Sequence, residues 1–416
     1  MNKTAQNLLS VVGGEALLRA ANLAAVVVIA RLYGPTILGT YSTVLAVATV
    51  AVMMADNGLQ VFSVAESSKR LHELEIVLGQ LYVVKTFLFL VMAMALVGVG
   101  LWLRFSRITW ILGAIITLRT LLYSYCQLNA GVLKSLDRMA VIGSIQAIHC
   151  ALLLTGIGLV FVRAWSITIL LLWLVLGQAF EFILSSSVLW RQHVKPARVT
   201  LSGCLGVLRR STPVGITYTT AAFILRGDVI VLSILSSAAV VGHFAAANMP
   251  LVMVYVAAWL FGSVLLPEMV RRSANLTLLQ SYVNQWIRGL LLTLIPLCTV
   301  LVWAAPALVR VLYGPAFATT GTLASIMVMS VPFILCNAVY LSKAIAVASS
   351  RTYIGIYLGT AAAALLLDFA LGDLWGPVGV AIAIVVREIG MFLAFRIVMA
   401  VADQRSLAAA EAGAVS

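Results

Sequence analysis

The chain has 416 residues, of which 62% are hydrophobic and only 10% charged, and its mean hydropathy is +1.09. A water-soluble domain needs polar cover and does not reach such values, so the composition excludes one and indicates an integral membrane protein. The net charge of +13 does not call for a nucleic-acid partner, because the basic residues come in ones and twos between apolar runs, with no basic arm.

Continuous apolar segments such as 83–99 and 167–182 lack the in-out alternation of a transmembrane β-strand, so the expected class is all-α. A hydrocarbon core of ~30 Å takes ~20 helical residues to cross. Twelve such stretches tile the chain, near 11–30, 37–60, 77–100, 108–131, 139–161, 167–190, 212–235, 242–267, 286–305, 319–341, 352–370 and 376–400.

The first span follows Lys3, holds charges and lacks a small-residue cleavage site, so it reads as a retained helix. Its Glu15 and Arg19 are four residues apart, on one face with Asn22, a spacing that fits either a mutual ion pair or charges facing an interior. Asp56 in the second span, Lys85 in the third and Asp368 in the eleventh lie near enough to a boundary to reach the headgroups or cap an end. Arg119 sits in mid-span in the fourth, with no acid within a turn, and continues a polar face through Tyr123 and Gln127. The fifth span carries a lone His149, read as a packing or polar residue, and the sixth carries Glu181.

The polar stretch 191–212 then divides the chain into an N-terminal lobe, 1–200, and a C-terminal lobe, 201–416, of six spans each, the second with a short cytoplasmic tail. In the seventh span Arg226 and Asp228 are two apart and point about 200° from one another. One is free to meet substrate while the other meets a neighbouring helix. Asn248, Tyr255 and Trp259 in span eight, and Tyr353, Tyr357 and Thr360 in span eleven, suit either sugars or plain helix packing. Span twelve holds Arg387 beside Glu388, and Arg396 near its end.

A charge near the bilayer centre costs at least ~2.5–3.5 kcal/mol, so charges deep in the spans should face a wet or protein-lined interior. Arg19, Lys85, Arg119 and Arg226 are therefore candidates for a positive substrate cavity, and guanidinium and ammonium groups suit an anionic, phosphate-bearing cargo. Glu15, Asp56 and Asp228 are candidates for carrying a coupling ion. With a cytoplasmic N-terminus, sixteen of the 27 Lys and Arg lie on the cytoplasmic side and five on the other, which puts both termini in the cytoplasm. Leu32, Gly39 and Tyr41 are echoed at the same spacing by Leu235, Gly242 and Phe244, as parallel repeats around a central cavity would require.

The five cysteines are scattered, with no C-x-x-C pair, so neither a disulfide framework nor a metal site is expected. There is no phosphate-binding G-x-x-x-x-G-K-[ST] loop and no catalytic constellation, and the chain is read as a non-enzyme without cofactor.

Arg19, the run Ala30-Arg31-Leu32-Tyr33-Gly34-Pro35 with Gly39-Thr40-Tyr41, and Asp56-Asn57-Gly58-Leu59 resemble the start of polysaccharide (O-antigen type) flippases of the multidrug/oligosaccharidyl-lipid/polysaccharide exporter superfamily. In the second half Arg226-Gly227-Asp228, Val241-Gly242-His243-Phe244, Leu312-Tyr313-Gly314-Pro315 and Gly376-Pro377-Val378-Gly379 are similar to the family's pattern, so that the resemblance covers roughly 7–400. It implies a flippase that moves a polyprenyl-pyrophosphate-linked oligosaccharide across the bacterial inner membrane by alternating access, for O-antigen or exopolysaccharide assembly. Proton or sodium antiport and a polysaccharide polymerase as partner belong to the same expectation. By position the cationic role falls on Arg19 and Arg226, whereas Lys85 and Arg119 come from the charge argument alone. The family's usual acid near Thr36 is absent. The alternative is a multidrug or small-molecule exporter of the same superfamily.

Overall fold

The computed structural model describes residues 3–102, 106–273, 275–347 and 350–415, with side chains described for these except 3–12, 71, 99, 350–353 and 402–415. The described chain is helical with short connections. In order, the helices are α1 (Lys3–Asp56), α2 (Leu59–Lys69), α3 (Leu74–Trp102), α4 (Arg107–Ser135), α5 (Met139–Arg163) and α6 (Ile167–Arg191). They continue with α7 (Leu201–Leu235), α8 (Ala238–Arg272), α9 (Leu276–Tyr313), α10 (Thr320–Val328), α11 (Val331–Ala346) and α12 (Ser350–Val415).

Two of these run continuously past a break whose cause is local. Gly34 in α1 has φ 76° and Gly376 in α12 has φ 58°. Each precedes a proline, which removes one backbone donor and presets the φ of a new first turn. A third pair, Gly314-Pro315, ends α9 with φ 91° at the glycine. Only glycine takes these conformations without strain. The tetrapeptide at 32–35, Leu-Tyr-Gly-Pro, recurs at 312–315, so the same device serves both units. Other helix starts use side chains: Asn275 accepts from the amides of Thr277 and Leu278, and Ser106 accepts from that of Thr109.

Among the described residues nine helices are long and apolar enough to cross a membrane, or ten when the bent pair α10 and α11, 40° apart, is taken as one span. Several observed helices extend beyond the expected spans. α7 begins at Leu201, inside the stretch read as a polar divider, and α9 begins at Leu276 rather than near 286. In α7 the reason is packing. Cys204 and Val207 join Leu59, Val77, Leu81 and Leu128 in one apolar cluster. Asn57 donates to the hydroxyls of Ser211 and Thr212 at 3.1 Å each, and Arg210 pairs with the buried Glu66 at 2.9 Å. A polar sequence becomes helical where one face has a surface to cover.

The chain forms two compact units, Met1–Arg226 and Gly227–Ser416, so the division falls within α7. The first has cores around Leu59, Leu81 and Leu128 and around Leu74, Leu78 and Leu133. In the second, Leu279, Val283 and Ile287 of α9 pack against Cys336, Tyr340, Phe392 and Phe395, with Tyr340 and Phe395 stacked 6.1 Å apart. The distribution of polarity is that of a chain solvated by lipid. Trp303 is 84% exposed and Leu292 and Val162 also face outward, whereas Lys85 and Asp368 are each 1% exposed. Lipid-facing apolar groups need no cover, while charges must find partners inside. All five cysteines are buried and free.

Candidate functional site

In the first unit the helices bring charged side chains into three clusters. Near the start of α1, Arg19 donates to Glu15 at 2.7 Å, one turn apart, and Gln146 of α5 donates to the other oxygen of Glu15 at 3.1 Å. One turn further, Asn22 donates to the Leu18 carbonyl at 2.7 Å and accepts from Arg119 of α4. Arg119 is half-buried, its Nε meets no partner, and among the described residues no carboxylate pairs with it. The Glu15–Arg19 spacing thus resolves as an ion pair, while Arg119 keeps its charge against a neutral amide.

The second cluster joins α1, α3 and α4. Lys85 Nζ lies 2.5 Å from Asp56 Oδ1 and donates to the Ser124 carbonyl at 2.9 Å, over the ring of Tyr125. Ser124 Oγ and the Gln60 amide also donate to the Asp56 carboxylate, both at 3.2 Å. From the sequence both charges are expected to reach the headgroups or to cap a helix end: burial excludes the first, while Asp56 does cap, accepting from the Gln60 amide in the first turn of α2. Sequence reasoning also proposed Lys85 for substrate and Asp56 for an ion, and the structure brings the two together as one closed pair.

The third cluster was not anticipated. His149, read as lone, has its partner on α6: Nδ1 lies 2.7 Å from Glu181 Oε2, which also accepts from Gln178 at 2.7 Å. The only sequence hints were the one-turn spacings Gln146 to His149 and Gln178 to Glu181; nothing in either helix alone says that they face each other.

In the second unit Asp228 of α7 accepts from the Val229 amide at 2.7 Å and from Asn248 of α8 at 3.0 Å. Asp368 of α12 is within electrostatic reach of Asp228 and of Arg387, and neither of its oxygens has a hydrogen-bond partner among the described residues. Sequence reasoning set Asp368 near a span end, but its helix continues to the break at Gly376, eight positions on. Arg387 and Glu388 are buried together: Arg387 donates to Tyr255 at 2.7 Å, Tyr255 to Glu388 at 2.7 Å, and Asn337 to Glu388 at 3.0 Å. Asn248 and Tyr255 therefore hold carboxylates, Trp259 points outward, and Tyr357 packs edge-on against Phe395. The side chain of Tyr353 lies outside the described residues. Arg226, half-buried, ends the first unit.

Among the described residues no group of three or more His, Cys, Asp or Glu is placed to hold a metal ion. The buried charges are instead arranged mostly as pairs and networks; among the described residues neither oxygen of Asp368 has a hydrogen-bond partner, and the half-buried Arg119 meets the neutral amide of Asn22.

The whole fold is shared with solved transporters. Lipid II flippase MurJ in an inward closed conformation superposes with a TM-score of 0.74 at 15% identity, over 94% of this chain and 88% of that one. An inward-facing multidrug resistance transporter of the MATE family in the MOP superfamily gives 0.65 at 11% identity, over 94% and 99%. A MOP superfamily transporter from Pyrococcus furiosus, described as having a binding pocket of reverse polarity, gives 0.59 at 11%, over 95% and 94%. No curated protein matches the sequence. A family profile described as "Polysaccharide biosynthesis protein" matches residues 4–273, and with two-thirds of its length inside that match the chain belongs to this family.

Proposed function

We propose that the protein flips a polyprenyl-pyrophosphate-linked oligosaccharide across the bacterial inner membrane by alternating access, for O-antigen or exopolysaccharide assembly. Family membership and the fold shared with a lipid II flippase support the class. The observation that carries the choice of cargo is Arg119, a guanidinium within an apolar helix whose charge, among the described residues, meets the amide of Asn22 and no carboxylate. A cation kept without a counter-ion at the edge of a buried network suits a pyrophosphate that arrives with the substrate. Arg19 and Arg226 act with it; Lys85 joins only in a state where its pair with Asp56 opens.

On this reading the chain crosses the membrane twelve times, each arm of the breaks at Gly34 and Gly376 being one crossing and α10 with α11 another. Both termini then lie in the cytoplasm, and a polysaccharide polymerase receives the product. Transport is coupled to protons or sodium through Asp228 and Asp368: Asp368, a buried carboxylate without a hydrogen-bond partner among the described residues and within reach of a second carboxylate, has strong reason to take up a cation. Glu15 and Asp56 are weaker carriers, since each already faces a base. Export of a small cationic molecule is the competing reading, and those same two carboxylates favour it.

The test is deletion of the gene in its host. The expected result is lipid-linked oligosaccharide accumulating on the cytoplasmic side while surface polysaccharide is lost, restored by the wild-type chain and not by Arg119→Ala or Arg226→Ala at equal expression. Unchanged glycan with altered drug or ion tolerance overturns the proposal in favour of export.

A further inference from the structure

The lipid-facing side of α4 is marked by Ile111 and Leu118, 43% and 47% exposed. Tyr123 follows Leu118 by five residues and so lies about 140° further round the helix, on the side where α4 packs against α1, α2 and α6. It is nevertheless 36% exposed. Its surroundings there are polar, since Tyr123 is within electrostatic reach of Glu15 and Arg19 of α1 and of Glu181 of α6. A large side chain left open on the inner side of a membrane helix, among charges, borders water rather than lipid.

The same face holds Arg119 one turn before Tyr123 and Gln127 one turn after it, both half-buried. Gln127 Oε1 accepts from Gln60 Nε2 of α2 at 3.2 Å. That bond engages one hydrogen of Gln60 and one lone pair of Gln127, and each amide has further donors and acceptors to offer. Helix packing accounts for the Gln60–Gln127 bond, but not for an open aromatic ring between it and an arginine. The chemistry of this face is that of a sugar site. A pyranose has an apolar C–H face and a rim of hydroxyls, each both donor and acceptor. A phenol ring offers apolar surface with a hydroxyl at its edge, and carboxamides offer donor and acceptor side by side. Spacing agrees: at a rise of ~1.5 Å per residue, Tyr123 stands ~6 Å and Gln127 ~12 Å along the helix axis from Arg119, steps comparable to a sugar residue.

We propose that Tyr123, Gln127 and Gln60 form a glycan-binding subsite inside the N-terminal unit, the tyrosine ring stacking on the sugar next to the pyrophosphate and the two amides holding the hydroxyls of the following one. The inference rests on the flippase reading, in which Arg119 meets the pyrophosphate. It adds the direction of the cargo: the glycan runs from Arg119 toward the C-terminal end of α4 at Ser135.

The experiment is native mass spectrometry of the full-length protein in detergent, offered two probes at equal concentration. One is undecaprenyl pyrophosphate without sugar, and the other is lipid-linked oligosaccharide extracted from the membranes of the host. The expected result is that the wild type prefers the glycosylated lipid by at least about tenfold, as several added hydrogen bonds and a stacking contact should give. Tyr123→Ala and Gln127→Ala are expected to bring that ratio close to one while binding of the bare lipid stays unchanged. Tyr123→Phe, which keeps the ring, is expected to retain most of the preference, and Arg119→Ala to weaken both lipids alike. Gln60→Ala, on a different helix, repeats the test if a change in α4 fails to fold. A wild type that binds both lipids equally, or variants at Tyr123, Gln127 and Gln60 that lose both in equal measure, overturns the subsite alone. No binding of either lipid by the wild type overturns the flippase reading and the subsite together.

Discussion

Removing Lys85 tests how the first unit tolerates charge. Its ammonium lies 2.5 Å from Asp56 Oδ1 and 2.9 Å from the Ser124 carbonyl, and it is 1% exposed where Asp56 is 4%. Lys85→Met keeps most of the side-chain volume and leaves the Asp56 carboxylate with only the Ser124 hydroxyl and the Gln60 amide, both at 3.2 Å. Breaking a buried pair from one side typically costs about 3–5 kcal/mol, because the remaining charge is stranded. Lys85→Met with Asp56→Asn removes both charges, and we expect it to recover at least half of that loss, for a coupling of at least about 1.5–2.5 kcal/mol before the cost of Asp56→Asn alone is added. The nine tryptophans report unfolding of the detergent-solubilised protein by fluorescence, and the wild type, two single variants and double variant complete the cycle. Effects that add to within about 0.5 kcal/mol would refute the reasoning, since independent sites behave in that way. The same double variant separates two roles: stable and active, the pair is structural; stable and inactive, it opens during transport.

Asp368→Asn replaces an unpartnered buried carboxylate by a neutral isostere; it is expected to raise thermal stability while abolishing the dependence of transport on a proton or sodium gradient, measured in reconstituted vesicles. Gly34→Ala meets no neighbouring atom within 4 Å, so its effect is confined to the backbone. At φ 76° and ψ −177° the expected loss is on the order of 1–3 kcal/mol in the same unfolding assay. Gly376→Ala should behave alike, and unchanged stability in both would remove the strain argument. Arg119→Ala should leave the melting curve nearly unchanged, because it deletes a charge without a carboxylate partner, in contrast with the large loss expected for Lys85→Met.

Much of the architecture was legible because lipid imposes a simple rule on sequence. Apolar runs of membrane-crossing length, interrupted by Gly-Pro pairs and clustered bases, announced long helices near their observed positions, and the all-helical class followed from the absence of alternation. The i,i+4 spacing of Glu15 and Arg19 offered an ion pair as one of two readings, and the structure forms it within the one helix. Helix ends were less legible: α7 gains its first turns from Cys204 and Val207 meeting α2, α3 and α4, a surface that its own polar composition does not reveal.

Composition and spacing by themselves determined that charges deep in the spans must turn inward, but not that Asp56, Lys85 and Asp368 are among the deep ones. Only the tertiary structure decided their company. Asp56 found Lys85 from 29 positions away, His149 found Glu181 from 32, and Asn248 found Asp228 from 20. Such pairings depend on which faces of which helices meet, a property of packing rather than of any one segment. For the same reason Asp368 stands out only in three dimensions, whereas Arg119 already stood out in the sequence as a mid-span base with no acid within a turn. A charge is recognised as unmatched when every neighbouring helix has been placed and none brings its opposite.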